Sequence, residues 1–306
     1  MSDGKPAIYS IQRGDVPNTL KIDHVWSPPN EAGNLPAVYT HIFPFTFNKE
    51  THMCMYDKAT GKADIYVVKR NKQWLNLAST QPLKKAFDIV EPFLFAAQPH
   101  ALGYTAKTGE FEFFRFGEDL KFSLIHKYHK AYGEDKSADY TTVKPFSSVK
   151  SMYFLCYNYD TGKVAFYQMS VTETTLLTTK RVFLSLWERG WTKYTMFQLG
   201  GANFYLKTNT IFNTSLFDHI LDDPSQGIHV VIFYHDLLLD FDAMSPFYMG
   251  EGDPYFVTYK KSGDTTFNRF HGDCRGWTKE ASLSTVTGAD LVVPFQLGTD
   301  NYVLFY

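Results

Sequence analysis

Apolar positions along this chain fall into short, strand-length runs punctuated by glycine turns, and the runs recur at a fixed period. A Pro-Phe pair stands at Pro44-Phe45, Pro92-Phe93, Pro145-Phe146, Pro246-Phe247 and Pro294-Phe295, with Met196-Phe197 in the remaining slot. The phenylalanines lie 48, 53, 51, 50 and 48 residues apart. Eleven or twelve residues after each comes a tyrosine, at Tyr56, Tyr104, Tyr157, Tyr259 and Tyr306, with Thr208 as the exception. Four or five residues later stands Gly61, Gly109, Gly162 or Gly263, with Asn213 in the odd repeat. Glycine and asparagine tolerate a left-handed turn, so each marks a hairpin between two strands. Offsets of four and seven from the turn are apolar: Ile65 and Val68, Phe113 and Phe116, Phe166 and Met169, Phe217 and Ile220, Phe267 and Phe270.

The sixth repeat stops at Tyr306, where its turn should begin, and its missing half stands at the other end of the chain. Asp3-Gly4-Lys5 supplies the turn, and Ile8 and Ile11 fall at the expected offsets. Pairing the two termini closes a ring and removes its free edges. The pattern predicts an all-β fold: a six-bladed β-propeller of four-stranded blades, closed by pairing N- and C-terminal strands. Residues 1–306 then form one domain of six repeats of about 51 residues, the last split between residues 290–306 and 1–13. The Pro-Phe strand is expected to be innermost, because proline lacks a ladder donor and is tolerated on an edge. The stretch from Gly117 to Thr142 is the longest insertion and is expected to be a loop.

Composition narrows the function classes. Thirty basic and thirty-two acidic residues leave a net charge of −2, which argues against a phosphate-neutralising nucleic-acid groove. No apolar run is long enough for a signal peptide or a membrane helix, so a soluble cytoplasmic protein is expected. Cys54, Cys156 and Cys274 are odd in number and form no CxxC pair, which fits free thiols. Aromatic residues make up 17 % of the chain, 27 Phe, 20 Tyr and 5 Trp, so rings are either packed between layers or offered to a ligand. No Gly-x-Ser-x-Gly, P-loop or His-Glu-x-x-His sequence occurs, and no cofactor is implied.

The paired glycines of kelch blades and the Trp-Asp signature of WD40 blades are missing. Trp187-Glu-Arg-Gly-Trp191-Thr192 followed by Phe197-Gln-Leu-Gly-Gly, echoed by Gly276-Trp277-Thr278 ahead of Pro294-Phe295-Gln-Leu-Gly, is closer to another pattern. With the later tyrosine and Thr-Gly turn, it resembles the repeat of propeller lectins from insect-associated bacteria and their fungal relatives. The likeness covers the skeleton of all six repeats, while two of them keep the Gly-Trp-Thr element. It implies a carbohydrate-binding lectin with sugar sites between blades.

Two sets of residues could carry chemistry. Trp187, Trp191, Trp277 and Trp26 could serve as stacking platforms for a sugar's C–H face, with Arg189 and Arg275 binding hydroxyls; the competing reading makes the indoles wedges between blades. The same rings could cage a quaternary ammonium. Five residues before each phenylalanine stand Thr40, Asp88, Thr141, Thr192, Asp242 and Asp290. These fit turn-closing side chains, or else a ring of three carboxylates (Asp88, Asp242, Asp290) able to hold a hard cation. An alternative function follows: an enzyme of cyclase, isomerase or lyase type with one aromatic-lined pocket at the channel mouth, where His41, Asp88, Asp242 or Asp290 moves protons. The partners expected are glycans or a small apolar molecule, with neither nucleic acid nor membrane; an oligomer is compatible with the pattern.

Overall fold

The computed structural model describes residues 6–28, 39–83, 87–129, 139–148, 151–171, 177–235, 240–250, 252–272 and 276–306. The chain enters through β1 (Ala7–Arg13) and β2 (Leu20–Trp26). Five antiparallel four-stranded blades follow, which we number I to V. Blade I holds β3 (His41–Phe47), β4 (Glu50–Asp57), β5 (Lys62–Val68) and β6 (Leu75–Pro82). Blade II holds β7 (Ile89–Phe95), β8 (Gln98–Thr105), β9 (Glu110–Phe116) and β10 (Phe122–His129). Blade III holds β11 (Thr142–Ser148), β12 (Ser151–Tyr157), β13 (Lys163–Val171) and β14 (Leu177–Leu186). Blade IV holds β15 (Trp191–Leu199), β16 (Ala202–Asn209), β17 (Thr214–Ile220) and β18 (Ile228–His235). Blade V holds β19 (Ala243–Met249), β20 (Asp253–Tyr259), β21 (Asp264–Phe270) and β22 (Trp277–Ser284).

Blade VI is shared between the termini: β23 (Val292–Leu297) and β24 (Asp300–Phe305) are completed by β1 and β2 in the order β2-β1-β24-β23. Its closing seam pairs Ile8 with Leu304 and Ile11 with Asn301. The N-terminal share runs past residue 13 to include β2 as the outermost strand. The predicted Asp3-Gly4-Lys5 turn lies outside the described residues. The innermost strands touch in sequence around the ring, β3, β7, β11, β15, β19, β23 and back to β3. This is the expected six-bladed propeller, with the Pro-Phe strand innermost. The Gly117–Thr142 stretch is not wholly a loop, because it contains β10, the fourth strand that blade II needs to cover β9.

The core is divided among the six blade junctions. Six buried clusters occur, each drawn from two neighbouring blades; Tyr104, Phe111 and Phe113 of blade II, for example, pack with Phe154 and Tyr167 of blade III. The repeating phenylalanine supplies a ring to a cross-strand stack in every blade. Phe45 lies on His52, Phe93 on His100, Phe146 on Tyr153, Phe197 on Phe204, Phe247 on Tyr255 and Phe295 on Tyr302, with interplanar angles of 15–26°. Such pairs add roughly 0.5–1.5 kcal/mol each beyond the area they bury.

The repeating tyrosine does a second job, since its hydroxyl reaches into the next blade and accepts a backbone amide there. Phe87 N–H donates to Tyr56 (2.5 Å), Tyr140 to Tyr104 (3.0 Å), Trp191 to Tyr157 (3.3 Å), Ala289 to Tyr259 (2.9 Å) and Tyr39 to Tyr306 (3.4 Å). Junction IV–V lacks this latch because Thr208 replaces the tyrosine. There Lys193 donates to the Phe241 carbonyl, with its ammonium 4.2 Å from the Phe241 ring centroid. Phe197 and Phe270 also stack across the same junction at 4.1 Å. Cys54 and Cys156 are buried thiols outside any disulfide, and burial pushes the Cys54 thiol pKa up; Cys274 lies outside the described residues.

Replacing Tyr104 with Phe keeps the buried ring but strands the Tyr140 amide. We expect a loss of about 1–3 kcal/mol in urea unfolding, whereas removing the exposed Thr108 hydroxyl should change the midpoint little.

Candidate functional site

Two concavities share the face of the ring where the innermost strands begin. The first is the upper mouth of the central channel, a cavity of about 550 Å³ to which all six blades contribute. Thr40, His41, Asp88, Thr141, Asp242 and Asp290 all line it. The short oxygen-bearing side chains mostly close turns. Thr40 accepts the Lys58 amide (3.1 Å), Asp88 that of Ala106 (2.8 Å), Thr141 that of Tyr159 (3.0 Å) and Asp242 that of Lys261 (2.6 Å). In each case the donor lies two residues beyond the latch tyrosine, so one slot completes the hairpin that the tyrosine anchors. Thr192 instead donates to the Thr208 carbonyl.

Three of the four carboxylates in this mouth are paired with lysines. Lys58 meets Asp88 at 2.8 Å, Lys261 meets Asp290 at 2.7 Å and Lys144 meets Glu91 at 2.6 Å. Among the described residues no group of three His, Cys, Asp or Glu side chains is placed to hold a metal ion, so Asp88, Asp242 and Asp290 share a cavity without forming a ligand cluster. His41 is half-buried and contacts Thr40 Oγ1 through Nδ1 at 3.0 Å. Burial, aided by the Lys144 and Lys58 charges, pulls its pKa down to about 4. Burial opposes ionisation of Asp88, yet the Lys58 pair and the Ala106 amide together hold its pKa below the usual value. Neither group is poised near neutrality as an acid–base catalyst requires.

Phe43 and Tyr194 are the aromatic residues that line this mouth, and a larger group of rings stands toward the other end of the channel. The lower mouth, a cavity of about 550 Å³, is walled by Phe93, Leu94, Phe146, Met196, Phe197 and Tyr248 among others. The repeating phenylalanines among these rings stand five residues beyond the oxygen-bearing slots, about 17 Å along the innermost strands.

The second concavity on the upper face lies between blades III and IV and encloses about 490 Å³. Its lining comes from three segments: Tyr159, Asp160 and Thr161 of the β12–β13 hairpin, Leu186 to Arg189 after β14, and Ile211 and Phe212 of the β16–β17 hairpin. Local chemistry sets each one. Asn158 accepts the Thr161 amide (2.7 Å) and hydroxyl (2.9 Å), tightening the first hairpin ahead of Gly162. Gly162 has φ of 76°, and a Cβ there would lie 2.1 Å from the Trp187 carbonyl oxygen, so only glycine lets the two backbones meet. The Trp187 amide donates to the Gly162 carbonyl at 2.8 Å.

The Tyr157 hydroxyl donates to the Glu188 carbonyl (2.7 Å), and buried Asn209 donates to that of Arg189 (2.7 Å) while accepting the Ile211 and Phe212 amides. The result is a half-buried indole beside an exposed guanidinium and two exposed carboxylates, Asp160 and Glu188. Exposed apolar side chains, Leu186 (73 %), Ile211 (55 %) and Phe212 (56 %), complete the wall.

The other tryptophans are wedges or lie elsewhere. Trp191 is buried to 1 % exposure at the foot of β15, and Trp26 is buried with its indole N–H donating to the Lys72 carbonyl. Neither offers a face to solvent, which corrects the expectation that Trp191 and Trp26 could be stacking platforms and makes them wedges between blades. Trp277 is half-buried on the outermost strand of blade V, edge-on to Phe256. It is therefore not the positional equivalent of Trp191 on an innermost strand, despite the shared Gly-Trp-Thr text. Arg275 lies outside the described residues.

The place of Trp187 is defined by its amide bond to the turn glycine. The same bond marks Leu83 in blade I and Thr285 in blade V, so neither of those positions carries an indole. Sequence reasoning missed Tyr159, Asp160, Ile211 and Phe212, although a pair of apolar residues at a hairpin tip, Ile211-Phe212, was a readable signal.

No protein-family model and no curated relative matches the chain. Solved structures do. A variant of Aleuria aurantia lectin in complex with Fucα1-6GlcNAc superposes with a TM-score of 0.59 at 10 % identity, covering 88 % of this chain and 90 % of the lectin. A candidate 6-phosphogluconolactonase from Bacteroides uniformis gives 0.53 at 10 % identity, covering 94 % and 85 %. A protein from Lactobacillus plantarum gives 0.51 at 9 % identity, covering 92 % and 97 %. At such identities the likeness is one of fold.

Two outcomes follow from this geometry. Because His41 binds its proton less readily in the folded chain, the unfolded chain takes up more protons between pH 6.5 and about 4. Stability from this group is full above pH 6.5 and lost as pH falls through that window; His41→Gln should remove about 1–3 kcal/mol of the acid-side decline in urea unfolding. Gly162→Ala should cost about 1–3 kcal/mol through the strained turn and the displaced Trp187 backbone, read as a lower melting temperature.

Proposed function

We propose that the protein binds carbohydrate, and that its site is the pocket between blades III and IV. The observation that carries this reading is the constellation there: the Trp187 indole as a platform for a sugar's C–H face, with Arg189, Asp160 and Glu188 at hydroxyl-bonding positions around it. Tyr159 and Phe212 extend the apolar wall. The fold likeness to a sugar-binding propeller lectin is compatible with this reading, as is the resemblance of the Trp187-Glu-Arg-Gly-Trp191-Thr192 element. The equivalents of Trp187 in blades I and V are Leu83 and Thr285, so the pocket is not repeated there. Affinity then rests on one well-formed site at this junction more than on a ring of equivalent weak ones.

The channel-mouth enzyme is the second reading, supported by one observation, the convergence of His41, Asp88, Lys144 and Glu91 in a cavity of about 550 Å³. Asp88 and Glu91 are paired with lysines there and His41 is held neutral by burial, which favours it less. Each reading places one ligand at its own site, so location separates them.

Glycan-array screening followed by calorimetry should find a glycan whose affinity falls about tenfold or more in Trp187→Ala, the scale expected for losing a buried ring contact. The same affinity should persist in His41→Gln. A glycan response in neither the array nor calorimetry, with folded protein, would sink the carbohydrate reading. Loss on changing His41 alone would move the site to the channel.

A further inference from the structure

Behind Trp187 stands a buried ammonium, that of the one lysine among the described residues that is buried. Lys207 on β16 is 2 % exposed, and its ammonium lies 3.0 Å from Oδ2 of Asp218 on β17, which is fully buried. The same ammonium sits 3.9 Å from the Trp187 ring centroid, 4.5 Å from that of Trp191 and 5.3 Å from that of Tyr205. Tyr205 lies directly across the ladder from Asp218, and its ring stacks on Trp187 at 5.7 Å. Three π-faces and a carboxylate around one nitrogen are the parts of a cation-binding cage. At the corresponding places, one residue before the latch tyrosine and five after the turn, the other blades carry neutral residues. These are Met55, Gly103, Cys156, Thr258 and Phe305, and Tyr66, Phe114, Tyr167, Asn268 and Tyr9. A buried ion pair is seldom worth more to stability than an apolar pair of the same volume. The cage therefore calls for a reason other than folding, and its shared wall with the III–IV pocket supplies one.

We propose that Lys207 is the specificity-determining residue of that pocket: its ammonium is the resident guest of the cage formed by Trp187, Trp191, Tyr205 and Asp218, and by holding Trp187's cation-binding capacity it closes the pocket to cationic ligands. An indole already polarised by one ammonium repels a second and still packs against an uncharged C–H face. The ligand class is thus a neutral polyol or glycoside, not an amino sugar or a quaternary amine. This rests on the III–IV pocket being the ligand site.

The experiment is a pair of titrations. Intact protein titrated with tetramethylammonium chloride should show no saturable tryptophan quenching; saturable quenching that disappears in Trp187→Ala would overturn the proposal. Lys207→Ala empties the cage and leaves Asp218 facing it, so butylammonium should raise that variant's melting temperature with concentration. The same amine should leave the intact protein unchanged, and butanol should leave both unchanged.

A folded Lys207→Ala protein indifferent to butylammonium would overturn the proposal as well. If that variant folds only with the amine present, amine-dependent refolding is the supporting result. If it does not fold at all, the Lys207→Met/Asp218→Asn chain keeps the volume and strands no charge. It should gain about tenfold in tetramethylammonium affinity, and unchanged exclusion would count against the proposal. Failure of every glycoside to bind the intact protein would remove the carbohydrate reading while leaving these amine outcomes interpretable.

Discussion

The tyrosine hydroxyl that crosses each junction is the contact on which this ring depends. A blade alone is a four-stranded sheet with two apolar faces, and it becomes stable only when both are covered by neighbours. Aromatic packing supplies the area, but flat rings slide. A hydroxyl fixed at 2.5–3.4 Å from the first amide of the next blade sets the angle and height at which the two sheets meet. It also spares a buried backbone donor that would otherwise cost about 1–3 kcal/mol. Five junctions share this device, and the sixth substitutes a lysine on a carbonyl and a close phenylalanine stack.

That substitution concentrates irregularity in blade IV, and the candidate site borders the same blade. Several buried polar atoms there find no protein hydrogen-bond partner, among them Tyr194 Oη, Thr195 Oγ1 and Thr208 Oγ1. Blade IV also buries a lysine–aspartate pair at positions where the other blades carry neutral residues. Its neighbour supplies the half-buried Trp187, held by a glycine that no other residue can replace and backed by the Lys207 ammonium. Regular blades hold the ring; the irregular pair III–IV presents chemistry at its upper face.

The legibility of these features in the sequence follows their distance from the solvent. The inner three strands of each blade are buried, so their positions repeat: the phenylalanine, the tyrosine and the turn glycine could be found by counting. The fourth strand is half-exposed, its pattern is loose, and β10 was hidden in what read as an insertion. Trp187 and Arg189 were legible as candidates because they interrupt the repeat. Trp191, in the same short text, is a wedge, since it opens the innermost strand β15 whereas Trp187 stands in the connection after β14. Asp160, Ile211 and Phe212 could not be joined to them from the sequence, because they come from hairpins of two different blades.

Repetition alone determined the number of blades, the order of inner strands and the closure by opposite termini, since each follows from identical local requirements met every fifty residues or so. The same repetition placed Thr40, Asp88, Thr141 and Asp242 at turns, where their oxygens accept amides. Only the tertiary structure decided which lysines pair with Asp88, Glu91 and Asp290 at the channel mouth. Only it brought Lys207 beneath Trp187 and made one inter-blade junction a pocket where the matching Leu83 and Thr285 positions carry no indole. Spacing along a chain constrains what each strand can do, whereas the facing of side chains across a junction depends on how two sheets dock, which no single repeat contains.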